Sequence, residues 1–277
     1  MATRAKEEVR EIVRDAYADV ARQGGRSGCC QPASDGLAVA DPEDRSRRIG
    51  YSDQDLEAAP EGANMGLGCG NPAAIAALKP GETVLDLGSG AGFDCFLAAR
   101  QVGETGRVIG VDMTSEMLAK ARDNARKGGF TNVEFRMGEI ERLPADDGTI
   151  DVIISNCVLN LSPDKPAVLR EAYRVLAPGG RLAISDVVAT APMPDSMRND
   201  DALICGCIGG AAMVSDLERW LAEAGFVDIR LALNDESRDV IREWAPGSGV
   251  ENYVVAATIE AVKGDRDGRR HGGAGTV

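Results

Sequence analysis

The chain has 277 residues, 44% hydrophobic and 27% charged, which suits one large domain or a domain with an appended cap. A formal charge of −13 and a pI near 4.7 exclude a nucleic-acid binder, because no basic surface is available to displace phosphate counterions. No apolar run approaches membrane-spanning length and "MATRAKEEVREIVRDAY" has no apolar signal core, so the expectation is a cytoplasmic protein with no membrane partner. Seven cysteines in that compartment point to metal or redox chemistry rather than to a disulfide framework.

Val9, Ile12, Val13, Ala16, Tyr17 and Val20 recur at helical spacing and predict an amphipathic helix over 3–22. Residues 23–50, rich in Gly, Asp, Ser and Arg, read as one long loop. Asn71-Pro72 is a helix start, with Asn as the cap and Pro in the first turn. Five short apolar runs follow, at 83–88, 107–112, 133–138, 151–156 and 181–186, separated by helix-like stretches at 92–101, 114–127 and 164–176. Strands alternating with helices predict an α/β fold with a parallel sheet covered by helices on both faces. Ser215-x-x-Glu218 reads as a capping box, "VDIRLAL" and "YVVAATIEA" as two late strands, and the Gly-rich tail as disordered. That tail holds the only histidine, His271, which argues against a histidine base.

"LDLGSGAG" places Asp86, Gly88, Gly90 and Gly92 at the first strand-to-helix turn, where glycines admit a ligand to the backbone and to a helix N-terminus. Asp112 ends the next strand, where a carboxylate suits the hydroxyls of a ribose. The turn begins with an acid and reads D-x-G-x-G-x-G, which resembles the S-adenosylmethionine (SAM) site of class I methyltransferases. "GEIERLP" (138–144) and "AYRVLAPGGRLAISD" (172–186) resemble later motifs of the same family, in the same order. The resemblance implies a class I Rossmann-like sheet and a SAM site of Asp86, Gly88, Gly90, Asp112, Met113, Glu139, Ile140 and Asn156. Glu139 would accept from the adenine amino group, and Ile140 would touch the ring.

"SNC" ends the fourth strand, where Cys157 would face the transferred methyl. Together with "EGANMGLGCGNP", "CGCIGGAA" and "ESRDVIREWAPGSGVENYVVAATIEA", it resembles arsenite methyltransferases over about 50–262. The resemblance implies that Cys69, Cys157 and Cys207 bind trivalent arsenic, with Cys205 a local variant. It also implies an N-terminal arsenic thiol, Cys30 ahead of Cys29, that closes a disulfide with Cys69 or Cys95 after methyl transfer. The chemistry is coherent on its own terms, since a soft thiophilic ion prefers thiolates and its lone pair attacks a methyl without a general base. Zinc is disfavoured, because Cys69 and Cys157 lack paired C-x-x-C spacing. Glutathione or thioredoxin would act as reductant, and small arsenicals as substrates.

Four segments are expected: an N-terminal helix and thiol-bearing loop (1–70), the SAM-binding core (71–190), arsenic-binding cap elements with the last strands (191–263), and a tail (264–277). Two rival functions stand beside arsenic methylation: a SAM methyltransferase for a small organic acceptor with incidental thiols, and a non-catalytic thiol-based arsenic binder.

Overall fold

The computed structural model describes residues 4–24 and 41–264, so Cys29, Cys30 and His271 lie outside the described residues. Ahead of the sheet come α1 (Lys6–Arg22), α2 (Pro42–Arg48), α3 (Asp53–Ala58) and α4 (Pro72–Ile75). The alternating unit follows as β1 (Thr83–Leu87), α5 (Phe93–Val102), β2 (Arg107–Asp112), α6 (Ser115–Gly128), β3 (Val133–Met137), β4 (Ile150–Asn156), α7 (Lys165–Val175) and β5 (Leu176–Ala189). The chain ends in α8 (Asp195–Arg198), α9 (Asp201–Cys205), α10 (Val214–Ala224), β6 (Phe226–Asn234), α11 (Ser237–Trp244) and β7 (Val254–Lys263). No described helix is long and apolar enough to cross a membrane.

The seven strands form one sheet in the order β3-β2-β1-β4-β5-β7-β6. Strands β1 to β5 pair in parallel, and the central β4 buries Val152, Ile153 and Ile154 completely, as a strand covered on both faces must. One face packs Leu85, Ile109, Ile153 and Leu182 against α7 and α10; the other packs Val84, Val108, Val152 and Ile154 against α5 and α6. The chain moves outward from β1 to β3 and then returns to β4 on the other side of β1. That reversal opens a crevice at the carboxyl ends of β1 and β4.

The sheet is mixed rather than wholly parallel, since β7 runs antiparallel to both β5 and β6. The connection through α11 never crosses the sheet face, and a strand that returns from the same end is antiparallel. Three local expectations are corrected. The predicted loop at 23–50 contains α2, because Asp41 accepts from the Glu43 N–H, Pro42 opens the first turn and three arginines sit near the last carbonyls. The helix assigned to a Ser215 capping box starts at Val214, so Ser215 lies inside it, and Met213 is an N-cap without a side-chain bond. The strand predicted at 181–186 begins at Leu176, which pairs with Ile150 ahead of a register shift.

A third apolar cluster lies beyond the carboxyl end of the sheet. It joins Val13 of α1 to Val187, Ile204, Ile208, Ile241 and Val254, and it contains Cys69, Cys157, Cys205 and Cys207. Four of the seven cysteines therefore sit in a small core distinct from the two that hold the sheet.

The turn from β1 into α5 depends on Gly92, which has φ +94° and no room for a side chain: a Cβ would lie 2.8 Å from the rings of both Phe96 and Phe135. The Gly92→Ala variant is expected to lose roughly 1–3 kcal/mol through overpacking and left-handed strain, read as a lower midpoint in denaturant titration. An unchanged midpoint would mean that the two rings yield freely.

Candidate active site

The cleft at the switch point is lined by Asp86, Gly88, Gly90 and Asp112 on one side and by Ile140, Asn156 and Cys157 on the other. Met113 also lines it. Gly90 keeps its space, because the nearest atom to a Cβ there is the Met117 sulfur at 3.9 Å, so a ligand can approach the backbone closely. Asp112 accepts from the Gly90 N–H at 2.9 Å and the Thr114 N–H at 2.8 Å. It therefore ties the glycine turn to the start of α6 at the cleft wall. Burial raises its carboxyl above the usual range, against those two N–H bonds.

Two further buried acids stand in the same wall. Burial, and then repulsion from Asp94, pushes Asp86 well up, opposed by the Cys95 thiol that donates to it at 3.1 Å. Burial lifts Asp94 to about 6, against bonds from Tyr51 Oη at 2.6 Å and the Asn156 amide at 3.4 Å. Neither acid has a basic partner among the described residues, so both favour a positively charged ligand in the cleft. Cys95 is ill placed for disulfide exchange: it has no exposed surface, and burial followed by the Asp86 charge raises its thiol well above the ordinary value.

Glu139 is held by α1, with Arg10 at 3.5 Å and Arg14 at 3.4 Å, while its neighbours Gly138, Ile140 and Glu141 form the cleft wall. Helix α1 itself contributes Arg10, Val13 and Tyr17 to the cleft. Its apolar stripe is visible in the sequence, but what that stripe covers is not. Tyr51 and Asp94 were missed because nothing in the spacing of residues 43 positions apart announces a contact.

The thiols come together where β4 ends. Cys157 follows Asn156 with φ +59°, and Cys207 has φ +62°, both in the left-handed region that side chains avoid. The Asn156 amide accepts from the Cys69 N–H at 2.9 Å and donates to the Gly70 carbonyl at 2.7 Å and to Tyr51 Oη at 2.9 Å. Gly68, at φ +109°, permits this clamp, since a Cβ there would sit 2.6 Å from the Asn156 amide. The Cys207 thiol donates to the Cys157 carbonyl at 2.6 Å. Hydrogen bonds from Cys207 and then Cys69 draw the Cys157 thiol well below its ordinary pKa, against burial. A single Cys207 proton thus has two acceptors competing for it, the Cys157 carbonyl and the Cys157 sulfur. The Cys69 and Cys157 sulfurs and an Asp186 carboxylate oxygen all lie within 4.8 Å of one another. Cys205 stands apart at the end of α9, its thiol 3.9 Å from the Ile12 carbonyl of α1.

Residues 78–225 match the family model described as "Methyltransferase domain". Over 274 residues the chain is 52% identical to the arsenite methyltransferase of Halobacterium salinarum, covering 96% of this chain and 70% of that one. The chain belongs to the arsenite methyltransferase family. It is also 50% identical over 179 residues to the arsenite methyltransferase of Aquipseudomonas alcaligenes, spanning 62% of this chain and about half, 51%, of that relative's length. Among solved structures it resembles CrArsM, an arsenic(III) S-adenosylmethionine methyltransferase from Chlamydomonas reinhardtii, with 36% identity, a TM-score of 0.59, and 80% and 73% of the two chains covered.

The buried acids give the family member a pH signature. Burial lifts the Asp94 carboxyl to about 6 from its ordinary 3.8, so between those values the folded state binds more protons than the unfolded chain. Its contribution to stability is therefore full below the lower value and is lost as pH rises through the upper one. Urea titrations of Asp94→Asn should show a weaker decline between about pH 4 and pH 6 than wild type. Parallel stability–pH curves would show that the carboxyl is solvated.

Proposed function

We propose that this chain transfers a methyl group from SAM to trivalent arsenic held by Cys69, Cys157 and Cys207. The observation that carries the proposal is the position of Cys157, whose residue lines the cofactor cleft and whose sulfur also belongs to the thiol group. Methyl donor and soft acceptor can thus meet at one residue.

SAM supplies an electrophilic methyl when bound. Asp112, Gly88, Gly90, Met113 and Ile140 would hold it, and Asp86 and Asp94 would face its positive charge across a water-poor wall. The protein's part is positioning and exclusion of water, because the arsenic lone pair is itself the nucleophile. Cys157, with its lowered pKa, is the thiol readiest to take arsenic as a thiolate. Methyl transfer raises arsenic formally from the trivalent to the pentavalent state. Two thiols restore it by giving up two electrons and closing a disulfide, and glutathione or thioredoxin then reduces that disulfide. Cys30 or Cys29 would be one member of the pair, with Cys69 as its partner now that Cys95 is enclosed. Assignment to the cytoplasm agrees with this need for reduced thiols.

The test is direct: purified protein is incubated with SAM, arsenite and a thiol, and the arsenic species are separated. Methylated arsenic is expected from wild type. Cys157→Ser should reduce the rate on arsenite by at least about a hundredfold while SAM affinity, measured by calorimetry, stays near wild type, because a hydroxyl is too hard to replace a thiolate. Cys205→Ser should retain most of the activity. A Cys157→Ser protein with wild-type turnover would instead make the thiols packing residues and favour an organic acceptor.

The cleft chemistry also sets a cofactor prediction. Asp112→Ala should weaken SAM about ten- to a hundredfold through lost hydrogen bonds to a charged group, and should leave arsenite retention nearly unchanged. Unaltered SAM affinity in a folded variant would remove Asp112 from the site.

A further inference from the structure

Asp186 sits in β5, beside the thiols, and is 1% exposed. Its Oδ1 is fully engaged, accepting from the Asn160 amide at 2.8 Å and the Val187 N–H at 2.7 Å. Its Oδ2 is buried with no hydrogen-bond partner among the described residues. An unpaired buried acceptor is costly. An asparagine at this position would make the same two Oδ1 bonds and would carry no buried charge. Lys165 answers part of its charge, and one of its carboxylate oxygens lies within 4.8 Å of the Cys69 and Cys157 sulfurs.

Resting on the proposed function above, we infer that Asp186 is the residue that recognises inorganic arsenite, by accepting a hydrogen bond from the hydroxyl that arsenic keeps when two thiols have captured it. The capture balances without redox change. Arsenous acid, As(OH)3, reacts with the thiols of Cys69 and Cys157 to give (Cys–S)2As–OH and two waters, the thiol protons leaving with the displaced hydroxyls. Once both thiols have lost their protons they can no longer donate to Oδ2, and the remaining As–OH is the donor left beside it. Methylarsenous acid, CH3As(OH)2, reacts with the same two thiols to give (Cys–S)2As–CH3 and two waters. That adduct carries no hydroxyl and offers Asp186 nothing. The carboxylate therefore contributes to the first methylation and not to the second, and Cys207 completes the sulfur set by displacing the last hydroxyl from the captured arsenite. A site that hydrogen-bonds one substrate and finds no partner in another discriminates strongly between them.

Asp186→Asn keeps the Oδ1 bonds and turns the Oδ2 acceptor into a donor. Arsenite and methylarsenite are equilibrated in parallel, without SAM, with wild-type, Cys207→Ala and Cys207→Ala/Asp186→Asn protein; the last two, in which captured arsenite keeps its hydroxyl, are compared, and the retained arsenic is measured by dialysis. The expected result is arsenite retention weakened about ten- to a hundredfold with methylarsenite changed less than about threefold. An equal effect on both arsenicals, or no effect on either, overturns the inference while leaving the proposed function standing. Wild type that retains neither arsenical overturns the proposed function and the inference with it. Should Asp186→Asn fail to fold, crystals of Cys207→Ala loaded with arsenite keep the carboxylate and stop arsenic at the two-thiol stage. Asp186 Oδ2 is then expected within hydrogen-bond distance of an arsenic-bound oxygen, and an Oδ2 directed elsewhere overturns the inference.

Discussion

At the end of β4, the Asn156 side chain has to serve two loops at once. Its carbonyl oxygen takes the Cys69 N–H, and its amide gives to the Gly70 carbonyl and to Tyr51. The same residue lines the cofactor cleft, and the next one in the chain is Cys157. Cys69 arrives from a segment that precedes the sheet, with only the four-residue α4 between it and β1. Without the clamp, nothing in the strand order would bring that segment over the switch point. The parallel sheet makes the crevice, but this one amide decides that a sulfur from outside the sheet stands beside a sulfur at its end.

The cost of the arrangement is electrostatic. Asp86, Asp94, Asp112 and Asp186 are all buried, and burial is the largest influence raising each carboxyl. Lys165, half-buried nearby, is pulled down to about 8 by desolvation, with Asp186 and Cys207 pulling the other way. Acids buried in this way are held in an unfavourable environment by the rest of the fold, and ligands that bring positive charge or hydroxyl donors suit them. The acids and the lowered Cys157 thiol are complementary in this respect. Asp86, Asp94 and Asp112 line the side where a cation would sit, and Cys157 supplies the electron-rich end.

How much of this was legible in the sequence follows from what each contact depends on. The strand-turn-helix pattern places Asp86, Gly88, Gly90 and Asp112 together because they are tied to local elements, and periodicity reports local elements well. Asn156 and Cys157 were readable for the same reason, as the last residue of a buried strand and its successor. The Tyr51–Asp94 bond was not, since it joins a loop to a helix through tertiary packing alone. Asp186 is visible inside "RLAISD" as an acid closing an apolar run at the ligand end, the same signal that singles out Asp112. Glu139 adds a contact that its motif did not announce: two arginines on α1 pair with its carboxylate. Charge pairs between distant segments leave no periodic trace.

The left-handed backbone at Cys157 and Cys207 has a consequence for the inheritance of this site. A residue with a β-carbon is strained in that region and glycine is not, so at both positions the backbone alone would prefer glycine. Any lineage relieved of the need for the sulfurs would find an easy route to a more robust protein by losing them. Thiols kept at such positions are maintained against the fold's own preference. A descendant that had drifted to glycine there would be recognisable as a scaffold that outlived its chemistry.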